Sequence, residues 1–206
     1  MTRLVVWRHG RTAWNSAGRF QGQTDIPLDG TGVAQAAAAA ELLARLQPTA
    51  IVTSDLRRAA DTAAALAELT GLPVKTDARL RERGFGEWEG LTQPEIQERW
   101  PEALAQWRAL APIQGCGIEP VEDLDRRVTP ALRDAAEQAP DGLVVVATHG
   151  GAGRRGIAGL LELPDAGVRT LGNLHNCHWC ELRLTSRGWR LQSYNVGPHA
   201  EPAAGG

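Results

Sequence analysis

Four short segments carry side chains that can do chemistry together: Arg8-His9-Gly10, Ser54-Asp55-Leu56-Arg57-Arg58-Ala59, Leu80-Arg81-Glu82 and Thr148-His149-Gly150-Gly151. Each alone is weak evidence, since a lone histidine is more often a satisfied core residue than a catalyst. From them His9, His149, Arg8, Arg58 and the Glu82 carboxyl form the set expected of a combined site. Phosphoryl transfer needs a nucleophile in line with the leaving oxygen and fixed positive charge around the equatorial oxygens. His9 can attack through one ring nitrogen if the other donates its proton to a backbone carbonyl. Arg8 and Arg58 can grip phosphate oxygens in bidentate fashion, and His149, once protonated, adds another cationic donor. Such convergent donors can stand in for a metal ion, so no cofactor is expected. Glu82 is the candidate acid, because a carboxyl held beside a phosphate dianion keeps a proton for the departing alcohol. Asn15 and Gln21 can hydrogen-bond the same phosphate without adding charge. Gly10 admits close backbone approach, and Gly150 joins the substrate-binding positions.

These residues need a scaffold that brings distant segments to one place. The apolar run Leu4-Val5-Val6-Trp7 reads as a buried strand, which delivers His9 at a strand's carboxyl end, where open α/β sheets bind ligands. Ala50 to Thr53 and Leu143 to Thr148 read as further inner strands. Helices are expected over Val33 to Leu46, capped by Asp29, and over Leu56 to Thr70, stopped by Gly71 and Pro73. Another is expected over Asp123 to Ala139, with a kink or break at Pro130. Cys177 to Leu184 and Trp189 to Tyr194 read as a hairpin at the sheet edge. The fold expected is an α/β three-layer sandwich with a mostly parallel central sheet and helices on both faces. One domain over residues 1–196 and a flexible tail over 197–206 account for the chain. Residues 92–120, with Trp100, Trp107, Pro101, Pro112 and Gly115-Cys116-Gly117, read either as a cap over the site or as a peripheral helical excursion.

Length and charge fit this reading. The 206 residues, 43% hydrophobic, can build one sizeable core. With 22 basic and 24 acidic residues the formal charge is -2, so no net basic field draws nucleic acid or an anionic membrane. No apolar stretch approaches a membrane span or a signal peptide, and an odd count of three cysteines argues against a disulfide framework; a cytoplasmic protein is expected. Cys177 and Cys180, flanked by His175 and His178, suggest zinc. Three apart in a strand, however, the two thiols face opposite ways, and small core residues are the simpler reading. Trp88 and Trp189 read as packing anchors, and Asp61 and Glu68 as solvated helix-face residues. The edge strands leave a homodimer open.

The same motifs, with Trp14-Asn15, Arg19-Phe20-Gln21-Gly22, Gly86, Trp88 and Gly90, resemble the histidine phosphatase superfamily, also called phosphoglycerate mutase-like, over Arg3 to about Asn195. The first hundred residues look most similar to its glucosyl-3-phosphoglycerate phosphatase and broad-specificity branch. The resemblance implies a metal-independent phosphatase acting on small phosphate monoesters, with His9 phosphorylated, Glu82 as proton donor, and Arg8, Arg58 and His149 as the phosphate pocket. A sugar or glycerate phosphate is the implied substrate class.

Mutases of the family carry His-Tyr-Gly after the acidic residue and a later Asn-Lys; here Arg83-Gly84-Phe85-Gly86 and Thr92-Gln93 stand instead. Loss of that lysine favours transfer to water, although Arg11, Arg81 or Arg83 can substitute for it. Arg11 follows Arg8-His9-Gly10 where the family commonly has Glu or Gln, and is expected to add positive charge at the mouth. Gly117-Ile118-Glu119-Pro120 replaces a frequent Gly-Gly-Glu-Ser in the segment expected to meet the organic part of the substrate. The alternatives kept are a phosphoglycerate mutase and, from another class, a non-catalytic protein that binds a phosphorylated ligand.

Overall fold

The computed structural model describes residues 1–198 except 110 and 114, so most of the expected tail lies outside the described residues. In chain order the elements are β1 (Arg3–Arg8), α1 (Ala13–Ser16), α2 (Gly30–Ala44), β2 (Ala50–Thr53), α3 (Arg57–Thr70) and β3 (Val74–Thr76). Then come α4 (Gln93–Arg99), α5 (Pro101–Arg108), α6 (Val121–Ala136), β4 (Leu143–Thr148), α7 (Gly150–Leu160), α8 (Asp165–Val168), β5 (Trp179–Thr185) and β6 (Gly188–Val196). The six strands form one sheet in the order β3-β2-β4-β1-β5-β6. The four from β3 to β1 are parallel, and β5 and β6 add an antiparallel edge.

Alternation along the strands divides the core in two. Val5 and Trp7 of β1 join Ile51, Val145 and Ala147 on one face, covered by Ala36, Ala39, Ala40 and Leu43 of α2 and by Ala63 and Leu66 of α3. Leu4 and Val6 join Val52, Val144 and Val146 on the other, under Leu124, Val128 and Leu132 of α6 and Ile157 and Leu160 of α7. β4 is buried at every position, as a central parallel strand with helices on both sides must be.

Several local expectations are corrected. α6 runs unbroken through Pro130, because the face bearing Val128, Ala131, Leu132 and Ala135 is buried on the sheet and packing outweighs one lost backbone bond. The hairpin's first strand starts at Trp179, not Cys177. Cys177 has φ 58° in the turn before it and lies in the α2/α3-side core, while Cys180 lies in the other. The three-residue strand β3, too short to carry a periodic signal, was not anticipated.

A third, smaller core lies apart from the sheet. Trp88, Ile96, Leu104 and Ile118 are buried together, with Phe85, Trp100 and Trp107 against them. Phe20, from the loop after His9, enters this cluster edge-on at 5.0 Å from Phe85, 5.5 Å from Trp88 and 5.2 Å from Trp107. Residues 92–120 are therefore tied to the loop after His9 through Phe20 and through Arg19, which bridges to Thr92 and pairs with Glu95.

Candidate active site

Strand register brings the two histidines together. β1 and β4 run parallel with Arg8 opposite Thr148, so the next residue of each, His9 and His149, leaves the sheet beside the other. The His9 amide donates to the Thr148 carbonyl at 2.9 Å, and the ring centroids lie 5.2 Å apart. His9 is 3% exposed and His149 fully buried.

The His9 tautomer follows from its contacts. Nδ1 lies 2.7 Å from the Gly10 carbonyl, which can only accept, so Nδ1 carries the proton and Nε2 keeps its lone pair. Burial first, then the Arg58 and Arg8 charges, push this imidazole well below its ordinary value and keep it neutral. Gly10 anchors the turn: its amide donates to Thr62 Oγ1 at 3.0 Å, and Thr62 Oγ1 donates to the Arg58 carbonyl. A Cβ on Gly10 would lie 2.4 Å from the carbonyl oxygen of Gly32 in α2, so only glycine fits.

Arg58, on the first turn of α3, is completely buried. Its Nη1 donates to the Thr24 carbonyl at 2.8 Å, Nη2 to the Gly22 carbonyl at 2.7 Å and Nε to His149 Nδ1 at 3.2 Å. A guanidinium has five N–H donors, so part of its capacity remains for a ligand. Burial lowers its pKa to about 10, leaving it cationic at neutral pH. Arg8 donates through Nη1 to the Leu174 carbonyl, while its buried Nε has no partner among the described residues. An orphaned charged donor is costly, and an oxyanion would satisfy it.

The tautomer of His149 follows from its contacts in the same way. Nδ1 accepts from Arg58, so Nε2 carries the proton and donates to Ser54 Oγ at 2.9 Å. Burial, with Arg58, His9 and Arg8 behind it, holds this ring neutral too. It becomes a cationic donor only by taking a proton on Nδ1 at the expense of the Arg58 contact, as an incoming dianion would favour.

Glu82 sits across from this group, on the amino end of α7. Its Oε2 accepts the Gly151 amide at 2.8 Å, and Oε1 accepts those of Ala152 and Arg83, each at 2.8 Å. A helix N-terminus is a natural seat for a carboxylate. A Cβ on Gly151 would stand 2.7 Å from Oε1, so the Gly-Gly pair after His149 makes room for the acid. Of the two carboxylates that follow Glu82 most closely, Glu87 is exposed, while Glu89 accepts from the amides of Gln23, Thr24 and Phe85 at 2.9–3.0 Å. Glu89 thereby shapes the loop whose carbonyls hold Arg58.

Asn15 completes the capping box of α1 with the N-cap Thr12: its Oδ1 accepts from the Thr12 amide and from Asn176 Nδ2, leaving its own amide nitrogen as the group available to phosphate. Gln21 is 9% exposed and accepts from Thr12 Oγ1 at 3.0 Å. Gly150 opens α7 beside Arg8. Arg11 does not add free charge at the mouth, since Asp29 takes its Nε at 2.8 Å and Thr31 its Nη2 at 2.8 Å. Arg81 is likewise paired, both its Nε and Nη2 on Asp55. Among the described residues Arg83 has no acid partner; its Nε donates to the Glu119 carbonyl and its guanidinium lies 5.9 Å over Phe85.

Sequence reasoning missed Thr62, Glu89, Asn176 and Arg127. Ser54 stood inside a quoted motif, and its place beside Leu56-Arg57-Arg58 was the available signal. Asn176 donates to the His9 carbonyl at 3.0 Å, a contact that no local pattern announces.

Known proteins resemble this chain along nearly its whole length. A family model of the histidine phosphatase superfamily (branch 1) matches residues 4–197. The glucosyl-3-phosphoglycerate phosphatase of Mycobacterium tuberculosis is 42% identical over 210 residues, 94% of each chain. The metal-independent phosphoserine phosphatase of Arabidopsis thaliana is 35% identical, over 97% of this chain and 83% of that one. The solved mycobacterial glucosyl-3-phosphoglycerate phosphatase in complex with VO3 superposes with a TM-score of 0.89 at 40% identity, over 96% of this chain and all of that one. The chain thus belongs to the histidine phosphatase superfamily, branch 1, as a phosphatase that hydrolyses phosphate monoesters.

Proposed function

We propose that hydrolysis proceeds through phospho-His9, with Glu82 as acid and then base, on a small anionic phosphate monoester of the sugar or glycerate class. The observation that carries this is the buried, neutral His9 with its Nε2 lone pair free, set among the Arg8 and Arg58 guanidinium groups. Nε2 attacks phosphorus, the bond to the ester oxygen breaks, and the protonated Glu82 carboxyl hands its proton to that oxygen. Water then attacks the phosphorus, Glu82 takes the water's proton, and the P–N bond breaks to restore His9. Arg8 and Arg58 supply the positive charge that a divalent ion supplies elsewhere. Arg8, Asn15, Gln21, Arg58, His149 and Gly150 form the phosphate-binding set.

Arg83 is the side chain best placed by elimination to meet a second anionic group, because Arg11 and Arg81 are already paired. The mycobacterial relatives make glucosyl-3-phosphoglycerate the first substrate to try. A cytoplasmic setting fits the three free thiols, and no described helix is long and apolar enough to cross a membrane. The missing mutase lysine and the phosphatase relatives both favour water as acceptor.

The test is phosphate release, in chelator, from glucosyl-3-phosphoglycerate, both phosphoglycerates, phosphoserine, sugar phosphates and an aryl phosphate, with acid-stable and base-stable phosphoenzyme scored after quenching. Release from one ester through base-stable phosphohistidine is expected. Phosphoglycerate interconversion faster than release would establish a mutase, and binding without turnover a ligand-binding protein.

A further inference from the structure

Glu82 lies in a segment without strand or α-helix, between a 3-10 turn at Ala78–Leu80 and another at Gly86–Trp88. Such a segment cannot fix its own carbonyl groups, yet an acid must stand within hydrogen-bond reach of the leaving oxygen. α6 supplies the missing support. Arg127 Nη1 donates to the carbonyls of Arg79 at 2.8 Å and Arg81 at 2.6 Å, and Nη2 donates to the Glu82 carbonyl at 2.7 Å. Its remaining donors go to Glu119, Nε to Oε1 at 2.7 Å and Nη2 to Oε2 at 2.8 Å. Glu119 closes the loop from the far side: Oε2 accepts the Gly84 amide at 2.9 Å, and its own amide donates to the Gly84 carbonyl.

Each guanidinium N–H of Arg127 is thereby spent, three on the carbonyls of Arg79, Arg81 and Glu82 and two on one carboxylate. The Arg127–Glu119 pair is largely buried, at 19% and 17% side-chain exposure. We propose that Arg127, with Glu119, is the positioning residue for Glu82: α6 holds the acid's backbone while the amino end of α7 holds its carboxyl. α6 and α7 pack directly, Gly156 lying against Leu132 and Val128, so the acid is clamped between two elements of one rigid layer. Lysine has three donors and no planar fork, so it cannot replace this clamp.

The inference rests on Glu82 being the proton donor, and its test separates the two. kcat/KM is measured for p-nitrophenyl phosphate, whose leaving group needs little protonation, and for glycerol 2-phosphate, whose alkoxide needs a proton. The proteins are the native enzyme, Glu82→Gln, Arg127→Met, Arg127→Lys and Glu119→Gln. Arg127→Met lowers the alkyl ester's value about tenfold or more beyond any loss on the aryl ester, with KM nearly constant. Arg127→Lys does not restore it. Glu119→Gln shifts the ratio in the same direction by a smaller factor and serves as the readout if Arg127→Met does not fold. Equal losses on both esters, or rescue by lysine, overturn the proposal. If Glu82→Gln shifts the ratio and the Arg127 and Glu119 variants do not, this inference alone fails; if Glu82→Gln does not, Glu82 is not the acid and both readings fall.

Discussion

The proposed phosphate side and the proposed leaving-group side of this site are built by different means. On the phosphate side, His9 and His149 follow paired strand ends, so sheet register sets their spacing, and Arg58 is sunk into α3 and held by backbone carbonyls. On the leaving-group side, Glu82 and Arg83 stand on a loop fixed by long side chains, namely Arg127, Glu119 and Glu89. Phosphate has the same shape in every ester and suits a rigid seat; the alcohol differs between esters and suits a support that side-chain changes can alter. The aromatic cluster around Trp88 extends the second region and meets the loop after His9 through Phe20.

The largest effect that can break this contrast is on the nucleophile. His9→Ala is expected to reduce turnover about 10⁴-fold or more with little loss of stability, and to abolish the base-stable phosphoenzyme. Residual activity near the native level would place the nucleophile elsewhere.

Rigidity of the phosphate side is sharpened by Gly10→Ala. The added carbon meets the Gly32 carbonyl, which is backbone and cannot step aside, so a loss of about 1–3 kcal/mol is expected in urea unfolding. An unchanged midpoint would show that α2 shifts freely.

Acid stability tests the buried histidines. The folded-state values of His9 and His149 lie well below the ordinary 6.5, so the unfolded chain binds protons first as pH falls. Stability is therefore full above about pH 6.5 and declines below it, by about 1.4 kcal/mol per pH unit for each histidine. His149→Gln should flatten that slope by half of the two-histidine contribution. An equal slope in the variant would mean that His149 is already charged when folded.

The smallest effect is expected at Arg11. With its guanidinium committed to Asp29 and Thr31, Arg11→Ala should change kcat/KM by less than about threefold on any ester. A larger loss confined to doubly anionic esters would return Arg11 to the mouth. Arg83→Ala in the same assay is expected to raise KM for those esters and leave an aryl phosphate nearly unchanged.

Much of the phosphate side was legible in the chain because its determinants are local. Buried strands read as unbroken apolar runs, and the helix over Arg57–Thr70 has its limits in the letters around it. The sequence also determined the chemistry available: which histidines, arginines and carboxyl groups exist, and that they follow strands or open helices. Tertiary structure alone decided which charges are spent. Arg11, Arg81 and Arg83 are indistinguishable as letters, but two face acids reached through folding and one does not. It also decided protonation, since His9 and His149 are held neutral by burial beside the guanidinium groups of Arg58 and Arg8, which the sheet and α3 bring together. The support of Glu82 by Arg127 spans 45 positions of sequence. Such contacts depend on where helices come to rest on a sheet, and no periodicity along the chain encodes that.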